Sequence, residues 1–255
     1  MGLLYLAVST AFFLGGFLFA LAMLRSGQRR PAANFAVMGA GFLFQCLFLS
    51  ERGDLHGRCP ITNGPEVLIF IGWSLVIMYF VVGKAFRLSL LGLFTAPIVF
   101  SFQLLALAWL ALSDPGARPP DSMDPWLEMH AATSLLAYGA FGLAAVAGLM
   151  YFAQDRQLKS RKPGRLSRHL PPIRYLIDAL VRLLVVGQIL ITIGIASAFF
   201  MEQRPSALHF GASGAVWLIY LILLLVQRFR PLVPRTLSGS AVVAFVIAVV
   251  TLFAL

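Results

Sequence analysis

Long apolar stretches separated by short polar ones run the length of the chain: "LLYLAVSTAFFLGGFLFALAML" gives way to the basic "RSGQRR", and the alternation then repeats. Crossing a hydrocarbon core takes about 20 predominantly apolar residues. Eight runs approach that length, at roughly 3–24, 33–50, 66–82, 88–112, 127–153, 173–200, 207–227 and 237–255, the second on the short side. The pattern predicts an all-α, polytopic membrane protein of about eight transmembrane helices, a single integral membrane domain over residues 1–255. Two larger polar stretches interrupt it. The acidic, proline-rich "SDPGARPPDSMDPW" delivers the chain into a helix beginning near Trp126. The basic "QDRQLKSRKPGRLSRHLPPIR", which contains the inner loop at residues 155–172, is broken by Pro163, Gly164, Pro171 and Pro172 and predicts a hinge between two groups of four helices.

Composition strengthens this picture. Hydrophobic residues make up 60% of the chain and charged ones 12%, with mean hydropathy +0.87, whereas soluble domains average about 25% charged residues. Charge then sets an orientation. If the chain starts outside, sixteen of its 20 Lys and Arg residues fall in inner loops, and Arg52, Arg58, Arg118 and Arg204 remain outside. That asymmetry follows the positive-inside bias and predicts both termini facing away from the cytoplasm, N-out and C-out, in the cell's cytoplasmic (inner) membrane. The net charge of +10 is therefore read as contact with anionic headgroups of the bilayer, and no nucleic-acid partner is expected. Arginines follow the first apolar run and none precede it, the reverse of a secretory signal.

Candidate chemistry is sparse. Cys46 and Cys59 make neither a metal site nor a disulfide framework. Gln45, Gln103 and Gln188 lie within apolar runs and are expected to find partners across helices, while glycine clusters such as Gly139 through Gly148 read as close helix packing. Of the four histidines, His169 reads as a solvated residue of the basic loop. His130 and His209 instead sit just inside the outer ends of the fifth and seventh runs, at matching depth. Two side chains leave a zinc site incomplete, but a porphyrin supplies four nitrogens of its own, so haem suits a pair of axial histidines. No nucleotide-binding motif or nucleophile–base pair is present, and autonomous catalysis is not expected.

Four segments resemble one family. "CPITNGPEVLIFIGW", "LEMHAATSLLAYGAFGLAAVAGLMYFAQDRQLK", "LPPIRYLIDALVRLLVVGQILITIGIASAF" and "LHFGASGAVWLIYLILLLVQR", within residues 57–230, are similar to cytochrome c assembly proteins of the CcsA and HemX type. Only "MEQRPSA" stands where the full-length members carry a tryptophan-rich external segment, so the resemblance is to the short, HemX-like branch. It implies haem handling at the outer face, with His130 and His209 as axial ligands to the iron. The partners it implies are haem, apocytochrome c and other cytochrome c maturation membrane proteins. Trp126, Glu66, Asn63 and Arg204 complete the candidate cofactor-binding set, with Arg58, Arg118 and Arg204 suited to haem propionates. Pro60 and Pro65 stiffen the loop that holds Asn63 and Glu66, read as an outer lid over the helices of His130 and His209. Two alternatives stay open: a HemX-like regulator of tetrapyrrole biosynthesis acting through the basic inner loop, and a transporter of haem or another small molecule.

Overall fold

The structure is a computed structural model that describes residues 1–26, 31–57, 59–61, 63–86, 91–112, 124–159, 170–202 and 206–254. Its elements are α1 (Gly2–Ser26), α2 (Pro31–His56), α3 (Gly64–Phe86), α4 (Leu91–Leu112), α5 (Pro125–Lys159), α6 (Ile173–Ala198), α7 (Ala207–Phe229) and α8 (Pro234–Ala254). All eight are long and apolar enough to cross a membrane, and the described residues contain no strand. Helices are the expected solution, because a segment in lipid has no water to satisfy its backbone groups.

Where the sequence reads as one domain, the contacts divide the chain into two compact units at Asp124, one built on α1–α4 and the other on α5–α8. Helix α5 thus groups with the helices that follow it. The four-plus-four division falls one helix earlier than the loop at 155–172, most of which lies outside the described residues.

In the first unit α1 packs on α2 and α4, and α3 packs on α4. Gly41 lets α2 approach α1: a Cβ there would meet Phe12 Cβ at 3.1 Å and the Phe13 ring at 3.2 Å. Side-chain hydrogen bonds tie the apolar surfaces together. Ser9 Oγ donates to Gly41 O at 2.8 Å, Gln103 Nε2 donates to Ser9 Oγ at 3.0 Å, and Gln45 Nε2 donates to Ile69 O at 2.9 Å. Such interhelical bonds average about 0.6 kcal/mol each. Helix α2 is longer than its apolar run, continuing through Glu51 and Arg52 to His56, where Gly57 at φ 62° ends it in the left-handed conformation. Cys46 and Cys59 are not joined by a disulfide.

In the second unit α5 carries the buried small-residue run from Ala137 to Gly148 and packs against α6 and α8, while α7 closes the bundle against α6 and α8. Helices α5 and α7 are therefore diagonal partners. Gly187 and Gly194 of α6 set its approach to α5, since a Cβ at the first would collide with the Phe141 ring and at the second with Ser134 Oγ. Gly148 does the same toward α8, where Ser238 O would lie 2.9 Å from its Cβ. The diagonal is bridged by Phe141 of α5 and Tyr220 of α7, stacked with centroids 3.6 Å apart and planes 5° apart.

Candidate functional site

Helix α5 starts on a polar clamp. Asp124 Oδ1 accepts from Trp126 N at 2.9 Å, capping the helix, and Oδ2 accepts from Glu202 N at 2.9 Å just past the end of α6. Trp126 then packs on Phe200, centroids 4.9 Å apart, and Phe199 on Phe210 of α7 at 5.3 Å. These contacts fix the arginine-poor ends of α5, α6 and α7 relative to one another.

One turn further along α5, His130 Nδ1 lies 2.7 Å from Gly194 O. A carbonyl only accepts, so Nδ1 carries the proton and Nε2 of the neutral ring is a bare lone pair. This is how protein ligands to metals are generally held, with the second ring nitrogen donating to a carbonyl or carboxylate that fixes tautomer and orientation. Gly194 makes the bond possible, because any side chain there would push α6 away from Thr133 and Ser134.

His209 opens α7, where Ser206 Oγ caps the helix by accepting from His209 N at 3.2 Å. Both imidazoles are half-buried and lie within electrostatic reach of each other. Their alignment has a simple helical cause. On α5 the face reads His130, Ser134, Ala137, Phe141; on α7 it reads His209, Ser213, Val216, Tyr220. Both series step by four, three and four residues, so each histidine lies about three turns, roughly 16 Å, above its own aromatic on the same face. Because Phe141 and Tyr220 stack, the histidines of these parallel helices come to one level. Between the two levels the facing residues are Ser134 and Ala137 on α5 and Ser213 and Val216 on α7.

Asn63 and Glu66 belong to the first unit, where Asn63 Oδ1 caps α3 by accepting from Glu66 N at 3.0 Å. Glu66 is fully buried, and its Oε1 accepts from Arg52 Nε at 2.9 Å and His56 Nε2 at 2.8 Å. Its loop also leans on α4, for a Cβ at Gly64 would sit 2.8 Å from the Trp109 ring. Both of these side-chain partners of Glu66 come from α2. Arg58, Arg118, Arg204 and His169 lie outside the described residues. Among the described residues no group of three or more His, Cys, Asp or Glu side chains is placed to hold a metal ion by itself.

Comparison with known proteins adds a decisive match, to the cytochrome c assembly protein family over residues 61–255. The chain belongs to the cytochrome c assembly protein family. Its similarity to individual members is distant. Protein HemX of Brevibacillus brevis is 24% identical over 230 residues, 88% of this chain and 82% of that protein. Protein HemX of Bacillus subtilis is 27% identical over 142 residues, 56% of this chain and 51% of that protein. The cytochrome c biogenesis protein CcsA of Rippkaea orientalis is 25% identical over 140 residues, 52% of this chain. The chain thus spans about half the length of the Bacillus subtilis relative and 41% of the Rippkaea one. The family match takes in α3 to α8, and with them the segment of Asn63 and Glu66 and both histidines.

Proposed function

We propose that this multi-pass membrane protein handles haem in cytochrome c biogenesis, holding it at the arginine-poor end of the α5–α8 unit between His130 and His209. It acts as a carrier that presents haem to apocytochrome c together with other maturation proteins. The observation that carries this reading is the His130–Gly194 hydrogen bond, which leaves Nε2 as a free donor to iron. The donor set fits haem: two imidazoles at one level, small residues on the facing turns, and an aromatic floor at Phe141 and Tyr220. When bound, haem supplies a redox-active iron with four of its ligands already in place. This chain's own residues position and desolvate: Gly194 orients one imidazole, Ser206 fixes the helix start bearing the other, and the Phe141–Tyr220 stack fills the bundle core below them.

The test is a visible absorption spectrum of the detergent-purified protein, oxidised and dithionite-reduced, beside His130→Ala and His209→Ala. A Soret band with sharp reduced bands, weakened in both variants, is the expected result. A wild type that stays colourless after haem is supplied overturns the proposal.

A second reading is favoured by one observation, that the match to a HemX protein takes in 88% of the chain and the match to CcsA only 52%. In it the protein is a membrane regulator of tetrapyrrole synthesis acting through the basic stretch 155–172. It predicts that neutralising Arg156 and Lys159, exposed at the end of α5, alters cellular haem content while leaving any bound haem spectrum unchanged.

A further inference from the structure

The first unit holds buried groups that the haem site does not use. On α2, Asn34, Gln45 and His56 recur every 11 residues. Eleven residues make about three turns, so the three side chains share one face within an arc of about 40° and mark out about 33 Å of helix. That length is close to the roughly 30 Å thickness of a hydrocarbon core. They are 7%, 0% and 3% exposed, and each leaves one polar atom unpartnered: Asn34 Oδ1, Gln45 Oε1 and His56 Nδ1. One of these is an acceptor by necessity, because Gln45 Nε2 donates to Ile69 O, which fixes its amide. His56 Nε2 faces Glu66 Oε1 at 2.8 Å, so Nδ1 is the ring nitrogen left to meet a further group.

A buried polar atom with no partner costs about 1–3 kcal/mol. Three at equal intervals through the membrane answer one requirement, a file of small hydrogen-bonding molecules, and water is the smallest. Other buried polar groups lie between the first two stations. Ser9 Oγ donates to Gly41 O, and Gln103 joins Ser9 to Thr10. Tyr79 Oη and Asn34 Nδ2 both crowd the Cβ position of Gly92, at 3.3 and 2.6 Å. At the arginine-poor end Glu66 joins His56 to Arg52, and Arg52, with Glu51, Phe48, Leu55 and Leu110, lines a cleft of about 250 Å³.

We propose that the α1–α4 unit is a proton relay, with hydration held along α2 by Asn34, Gln45 and His56. A proton arriving at His56 Nδ1 releases the Nε2 proton to Glu66 Oε1, which passes it beside Arg52 to the cleft. Only N–H and O–H bonds change, and the charge moved is balanced by counter-ion flow across the membrane.

The experiment reconstitutes the whole protein into phosphatidylcholine–phosphatidylglycerol vesicles holding a pH-sensitive dye, with potassium and valinomycin clamping the potential, and follows the response to an external acid step. Wild type is expected to equilibrate several-fold faster than protein-free vesicles, Gln45→Leu to fall back to the protein-free rate, and Gln45→Glu to retain conduction. Wild type no faster than empty vesicles, or Gln45→Leu as fast as wild type, overturns the proposal. Should the leucine variant not fold, Asn34→Leu on the same face gives the same test. Radiolytic hydroxyl-radical labelling adds an independent one. Met38, fully buried one turn from Asn34, is expected to oxidise because water lies beside it, and an unlabelled Met38 counts against the relay.

Discussion

A histidine with one ring nitrogen tied to a carbonyl has a single direction left in which to act, and that makes the tautomer of His130 the most informative detail of the second unit. Gly194→Val tests it without touching the ring. The added side chain meets Ser134 Oγ, so the expected outcome is a cost of about 1–3 kcal/mol from overpacking, with haem affinity falling although both histidines remain. Thermal unfolding in detergent read beside the Soret titration checks both. In the first unit Arg52→Ala removes a partner of the fully buried Glu66, and the expected loss of stability is about 3–5 kcal/mol, measured by denaturant titration. At this scale the sequence was partly legible. Asn63 as a cap and the glutamines as interhelical partners are visible from residue type and position. The pairing of Glu66 with Arg52 and His56 was not, because the polar end of α2 looks like loop when no neighbour is known. The repeated His, Ser, small, aromatic steps of α5 and α7 stand in plain view, but they acquire meaning only once Phe141 and Tyr220 are seen to stack.

Helices were the most legible objects, because an apolar run of membrane length has one stable backbone solution. Their ends were less so. Helix α2 extends six residues past its apolar run and α5 six past its own, to Lys159, where a 2.7 Å ion pair to Asp155 supports the last turn. Glycine content alone did not reveal which glycines matter. Gly148→Leu is expected to destabilise the α5–α8 pair by about 1–3 kcal/mol, since Ser238 O leaves no room. Gly39→Ala, with nothing within 4 Å of its Cβ, is expected to be neutral or stabilising by up to about 1 kcal/mol through helix propensity. Comparing their unfolding midpoints checks the contrast.

On the scale of the molecule, the division at Asp124 escaped the sequence because proline-rich breaks flank α5 on both sides, and only tertiary contacts say which side it joins. Two predictions follow from this architecture. Residues 124–255 expressed alone are expected to insert and to keep the haem spectrum of the whole protein, and a colourless fragment beside a coloured parent places the site outside α5–α8. Reporter fusions at the C-terminus are expected to show the extracytoplasmic phenotype, as the charge asymmetry requires.

Helix α5 has one more consequence. Its 35 residues make a continuous rod of about 52 Å, longer than the hydrocarbon core, with His130 near one tip and Arg156 and Lys159 at the other. A rod is a lever. A tilt of about 5° about its middle displaces His130 by roughly 1.5 Å relative to a fixed α6, enough to break a 2.7 Å bond to Gly194. On the proposed reading, a partner gripping the basic tip would shift the histidine offered to iron at the far end, so the two proposed roles would meet in one helix.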